Sequence, residues 1–146
     1  MSGPLFDRRT KVGADEVRTA VEVDADIVVA RQRGHELALG AGFSVTEATV
    51  IATAISEIAR NIVRFARRGE VTITVLTEDG TTGLMVVAHD AGPGIPDVDL
   101  ALTEGHTTYG GLGLGLPGSR RLMDEFEITS EVGRGTTVSM TKWHRT

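Results

Sequence analysis

Between positions 51 and 65 the apolar side chains Ile51, Ile55, Ile58, Ile62 and Phe65 recur at alternating spacings of four and three. That period draws one stripe down one face of a helix. Its beginning is marked by Ser44 and Glu47, which form a capping box across which Phe43 can staple onto Ala48. Its end is expected near Ala66, with Arg67, Arg68 and Gly69 as a cationic, glycine-marked terminus. Upstream, Val17, Thr19, Val21 and Val23 alternate with Arg18, Ala20 and Glu22, the period of a half-buried strand. Asp24 or Asp26 can cap a further helix over Ala25 to Leu39, which carries Gly34 in its interior and ends at Gly40 and Gly42.

After the long helix the period falls to two. Val71, Ile73 and Val75 alternate with threonines, Asp79-Gly80 signals a hairpin, and Gly83 to Ala88 returns as a second strand. Asp97 to Glu104 reads as a short helix, and Pro117 to Glu125 as another with proline at its first position. Glu127 to Glu131 is a strand, Gly133-Arg134-Gly135 a turn, and Thr136 to Trp143 a last alternating strand. Residues 1–15 carry no period and read as a disordered arm, which leaves 16–146 as one domain. Hairpins replace βαβ crossovers in the second half, so the pattern predicts an α+β fold, a two-layer α/β sandwich.

Composition narrows the function classes. The chain is 40 % hydrophobic and 24 % charged, which is globular, and its net charge of −5 argues against binding nucleic acid by phosphate neutralisation. Without cysteine there is neither a disulfide nor a thiolate metal site. No apolar run approaches the roughly 20 residues of a membrane span, and the N-terminus lacks the regions of a signal peptide, so a cytoplasmic protein without membrane contact is expected. His35, His89, His106 and His144 are scattered, without metal-site spacing.

The chemistry gathers around Gly110 to Gly118, a glycine-rich run with Pro117 where a helix can start. Backbone N–H groups freed of side chains, followed by a helix N-terminus, suit an oxyanion. A flexible linker is the alternative, but leucines alternate with the glycines where a linker would carry polar residues. Gly113-x-Gly115-x-x-Gly118 matches the dinucleotide fingerprint formally, yet Thr103 to Tyr109 is not the strand which that motif must follow. A P-loop is excluded because no Gly-Lys pair exists.

Glu57 and Asn61 stand one helical turn apart beside the isoleucine stripe. They are either solvated polar positions or a base paired with a neutral oxygen ligand suited to Mg²⁺ and a nucleotide. Asp90-x-Gly92-x-Gly94 is either a capped tight turn or an acid that reads an exocyclic amine while the glycines admit a flat base.

Taken in order, Glu57-x-x-x-Asn61, Asp90-x-Gly92-x-Gly94, Gly111-x-Gly113-x-Gly115 and Gly133-x-Gly135-Thr136-Thr137 resemble the N, G1 and G2 boxes and final threonine of the GHKL superfamily. This is the Bergerat-fold ATP-binding group of gyrase, the ninety-kilodalton heat-shock chaperone, histidine kinases and MutL. Ser56 to Ile62, Gly92 to Asp97 and Gly115 to Phe126 are similar to the switch-protein serine kinases of the anti-sigma regulatory factor kinase family. The resemblance runs from about Val17 to Trp143. It implies a mixed, mostly antiparallel sheet with helices on one face.

It also implies a serine/threonine protein kinase of the partner-switching type using ATP and Mg²⁺. Glu57 would be the catalytic base and Asn61 the metal ligand. Asp90 would read adenine, and Gly92, Gly94, Gly111, Gly113, Gly115 and Leu116 would frame base and triphosphate. Thr136 or Thr137 would support the adenine end. Asp99 to Tyr109 would be a short lid, in which His106, Thr107 and Thr108 could contact the γ-phosphate. The implied partners are an RsbS-like STAS-domain antagonist as substrate, an RsbR-like scaffold and an RsbU-like phosphatase, within a stress-signalling complex. The alternative is an anti-sigma factor that binds a sigma subunit and phosphorylates its anti-anti-sigma factor. Two departures bear on partner or lid more than on nucleotide: His89 stands where an acid is expected, and Leu114 where a small residue is usual.

Overall fold

Asp26 decides where the chain first passes from strand to helix. Its carboxylate accepts the N–H groups of Glu22 (2.8 Å) and Val23 (3.1 Å), which pulls those residues out of the strand. Strand β1 (Glu16–Val21) therefore stops short of the expected Val23, and helix α1 (Asp24–Gly40) begins at once. Asp26 caps from inside the first turn. In this computed structural model residues 16–95, 98, 102 and 115–145 are described. The N-terminal arm assigned to residues 1–15 lies outside them.

Helix α2 (Val45–Asn61) opens as predicted: the Ser44 hydroxyl accepts the Glu47 N–H (3.0 Å) while Glu47 accepts the Ser44 N–H (2.8 Å). Ile51, Ile55, Ile58 and Ile62 are buried in one cluster with Ala30 and Ala38 of α1. Gly34, internal to α1, allows close approach, because Ile55 Cδ1 fills the space a side chain would need. The last turn, Ile62–Ala66, widens from α to π geometry. A π turn advances fewer degrees per residue than an α turn, so Phe65 slips off the stripe and is only half-buried. The turn is closed by Arg67 at positive φ (74°), where Gly69 was expected to mark the end. Gly69 instead starts strand β2 (Gly69–Glu78), where a side chain would collide with the His89 carbonyl.

Asp79 (φ 52°) and Gly80 (φ 79°) both take positive φ, the type I′ turn of a tight hairpin, and return the chain as β3 (Thr81–Asp90). Leu102 donates to the Val98 carbonyl (3.0 Å), one helical bond; the rest of the short helix expected over Asp97 to Glu104 lies outside the described residues. Helix α3 (Gly115–Leu122) starts two residues before Pro117 and stops short of Glu125. Pairing with the last strand takes over there: Asp124 donates to the Thr141 carbonyl (2.9 Å), and Lys142 Nζ donates to the Leu122 carbonyl (3.1 Å), closing the helix end. Strand β4 (Glu125–Glu131) then turns into β5 (Gly135–Trp143).

The sheet order is β1-β2-β3-β5-β4, and every pairing among the described residues is antiparallel, so no parallel component of the expected mixed sheet is found among them. Val71, Ile73, Leu84, Val86, Ala88, Val138 and Met140 point from this sheet into the same core as α1, α2 and α3. The fold is therefore α+β in two layers, with the helices on one face. The centre of the sheet ends at Asp90 and Gly135, beside the C-terminal end of α2.

Candidate functional site

Strand register places Asp90 directly opposite Gly69 on one side and Thr136 on the other. Ile62, next to Asn61, comes within 3.0 Å of where a side chain on Gly69 would stand, and Asp90 Cβ is equally close. The end of α2 and the end of β3 thus meet at one corner. Beyond the strand, Gly92 lies against the π turn: a Cβ there would be 2.6 Å from Ala66 Cβ. Gly94, at φ 82°, lies against the Glu131 carbonyl, and its neighbour Pro93 accepts the Gly133 N–H (2.8 Å). Packing of the protein against itself therefore already requires glycine at 92 and 94.

Asp90 serves its own turn: Oδ1 accepts the Gly92 N–H at 2.8 Å, the capping role weighed from sequence. Its other oxygen takes no hydrogen bond among the described residues. Asn61 is half-buried, and its carboxamide makes none among them either. Buried polar groups are ordinarily paired. Among the described residues, both groups have capacity left for a ligand.

Glu57, one turn before Asn61, has a side chain only 12 % exposed, and its Oε2 receives Arg60 Nη1 at 2.9 Å. One carboxylate oxygen is held while the other is open among the described residues. Arg60 was not picked out from the sequence, although its i,i+3 spacing from an acid on a helix was the signal.

The two threonines part company. Side chains alternate along a strand, so Thr136 shares the helix-side face with Asp90, Ala88 and Val138, and Thr137 turns to the opposite face. There the Thr137 hydroxyl meets His89 Nδ1 at 2.8 Å. Thr136 Oγ1 meets Ser130 Oγ at 2.8 Å. Ser130 also accepts the Ile95 N–H (2.7 Å) and reaches the Gly135 carbonyl (3.2 Å). With its single hydrogen on that carbonyl, Ser130 takes the Thr136 hydrogen as acceptor. This serine ties the loop after Asp90 to the β4–β5 turn. The sequence signal was a polar residue in line with the inward-facing Phe126 and Ile128 of β4.

Of the glycine-rich run, Gly111 and Gly113 lie outside the described residues, as do His106, Thr107 and Thr108. Gly115 opens α3, and Leu116 is buried in the common core, so its side chain seats the helix. The buried Ser119 points to α2 and donates to the Ala54 carbonyl at 3.4 Å. The start of α3 is thereby fixed to the helix that carries Glu57 and Asn61.

Comparison with known proteins bears on this arrangement. Residues 46–145 match the model of the histidine kinase-, DNA gyrase B- and HSP90-like ATPase family. The serine/threonine-protein kinase RsbT of Bacillus subtilis is 44 % identical over 131 residues, covering 90 % of this chain and 98 % of that one. The anti-sigma F factor of Geobacillus kaustophilus is 37 % identical over 106 residues, 68 % of this chain and 71 % of that protein. Among solved structures, the RsbU and RsbW domains of Rv1364c from Mycobacterium tuberculosis superpose with a TM-score of 0.63 at 19 % identity, over 93 % of this chain and 34 % of that longer one, which speaks to fold. With the family model spanning most of the chain and a kinase similar along nearly its whole length, this chain belongs to the histidine kinase-, DNA gyrase B- and HSP90-like ATPase family, as an ATP-dependent protein serine/threonine kinase.

Proposed function

We propose that this kinase acts in a partner-switching module, passing the ATP γ-phosphoryl to a serine or threonine of a small RsbS-like STAS-domain antagonist. In this reading an RsbR-like scaffold presents the substrate, and the released kinase binds and activates an RsbU-like phosphatase. The observation that carries it is the similarity to RsbT along nine-tenths of the chain. Glu57 and Asn61 stand in the last turns of α2 and Asp90 at the end of β3.

The residues present suit Mg-ATP. Asn61 offers a half-buried, uncommitted carboxamide oxygen as metal ligand, and Mg²⁺ held mainly by phosphates and water needs little more from the protein. When bound, the ion neutralises phosphate charge. The open oxygen of Asp90 accepts the adenine amine, while its partner oxygen keeps the carboxylate oriented through Gly92 N–H. Thr136, opposite Asp90 on the same face and hydrogen-bonded to Ser130, would support the adenine end, while Thr137 meets His89 on the other face. The glycine run Gly111, Gly113 and Gly115, leading into the N-terminus of α3, supplies N–H groups for the phosphates. Glu57 accepts the proton of the attacking hydroxyl through its open oxygen. Most of the acceleration comes from positioning and charge stabilisation.

Intact mass of a purified STAS-domain protein after incubation with the kinase and Mg-ATP tests this directly. One phosphoryl gain that disappears with Glu57→Ala at the same short incubation time, although that variant still binds nucleotide, is expected. No gain with ATP bound would retire the substrate. The similarity to anti-sigma F factors sustains a second reading, a protein that captures a sigma subunit, and co-purification with that subunit would favour it.

A further inference from the structure

The ion pair between Arg60 and Glu57 has a feature that surface pairs lack. Glu57 is 12 % exposed and Arg60 30 % exposed, so the carboxylate is largely out of water and its charge needs a partner. Among the described residues Arg60 is that partner, on the next turn of the same rigid helix. A single 2.9 Å contact to Oε2 holds the carboxylate by one oxygen and leaves the other available.

We propose that Arg60 is a positioning residue for phosphoryl transfer: it fixes the Glu57 side chain so that its open oxygen meets the incoming hydroxyl. The inference rests on the reading of Glu57 as base. Arg60 acts through Glu57 and not on the nucleotide. The proton leaves the hydroxyl as the oxygen–phosphorus bond forms and the bond to the leaving ADP breaks. That proton rests on the oxygen of Glu57 that Arg60 does not occupy. Arginine suits the task because its guanidinium is planar and permanently charged.

A double-mutant cycle on the full chain tests this, reading transfer from Mg-ATP to a purified STAS-domain protein. Arg60→Ala should lower kcat about 10- to 100-fold, the scale set by small misplacements of a reacting group, with KM for ATP within about twofold of the parent. Arg60→Lys, which keeps charge at the same spacing, should recover most of the loss. Arg60→Gln keeps a donor and a long stem, and it should fall like the alanine variant. On the small residual rate of Glu57→Ala, read over long incubation at high enzyme concentration, adding Arg60→Ala should cost no more than about twofold further, because residues that act as a unit are not additive. A further tenfold loss in that background, or a tenfold rise in KM for ATP, would show that Arg60 works on the nucleotide and overturn the proposal. Parental rates in both the alanine and glutamine variants, with Glu57→Ala reduced to its residual rate, would overturn it while leaving the base in place. Parental transfer by Glu57→Ala would instead remove the base, and this inference with it.

Discussion

Glu47→Gln is the perturbation whose size the structure allows to be worked out. Glu47 closes the capping box of α2 and also anchors the end of the chain. Oε1 takes the Ser44 N–H and His144 Nδ1, each at 2.8 Å, and Oε2 takes the Arg145 N–H at 3.0 Å. Desolvation pushes its carboxyl upward. The hydrogen bonds from Arg145, Ser44 and His144 outweigh that and bring it from the ordinary 4.5 down to about 2. A drop of 4.5 − 2 = 2.5 corresponds to at most about 3.4 kcal/mol at about 1.36 kcal/mol per pH unit. The cluster lies at the rim beside the exposed Arg145 side chain, so solvent screening reduces this to about 1.5 kcal/mol.

The sign follows from a carboxyl that is more acidic when folded. Its stabilisation is complete above the ordinary value near 4.5 and is lost as pH falls from there towards 2. Glutamine keeps the shape and cannot ionise. Urea unfolding of both proteins should give a gap of about 1.5 kcal/mol at neutral pH that closes to a few tenths near pH 2. A gap that stays constant with pH would mean that packing is responsible, and no gap at neutral pH would mean that the anchored end contributes nothing.

Asn61→Ala should lower Mg-dependent ATP affinity at least tenfold in calorimetric titration with little change in melting temperature; unchanged affinity would remove Asn61 as a ligand. Ile58→Asp buries a charge at a position 2 % exposed and should cost more than about 4 kcal/mol, so a soluble variant melting cooperatively near the parent would contradict the core face of α2. Gly135→Ala should destabilise by about 2 kcal/mol, since φ 118° disfavours any side chain and the Asp90 carbonyl occupies its place; denaturant midpoints would reveal a neutral change.

Local chemistry made much of the fold legible. Ser44 with Glu47, and Asp79 with Gly80, specify a helix start and a hairpin within a few residues, and both stand as expected. Signals that depend on distant partners were not legible. Glu47 could not be seen to hold His144 and Arg145, nor Asp26 to cut short β1, because such bonds exist only once the chain has folded. Gly69 looked like a helix terminator, yet its glycine serves the close approach of β3. In the site, residue types pointed to Glu57, Asn61 and Asp90. The separation of Thr136 from Thr137 needed the register of β3 against β5, and the hold of Arg60 on Glu57 needed rotamers.

The π turn at Ile62–Ala66 bears on how relatives should be aligned. Such a turn amounts to one extra residue accommodated in an α-helix without breaking it. A relative with a plain α turn here would reach its own β2 one residue sooner, and a one-position gap would fall between Asn61 and Gly69. Wherever that gap is absent, the offset corner that seats Ala66 against Gly92 should be inherited intact; wherever it appears, the Ala66 contact no longer forbids a side chain at that position and the remaining limit is Asp90 Oδ1, 3.1 Å from where its Cβ would stand.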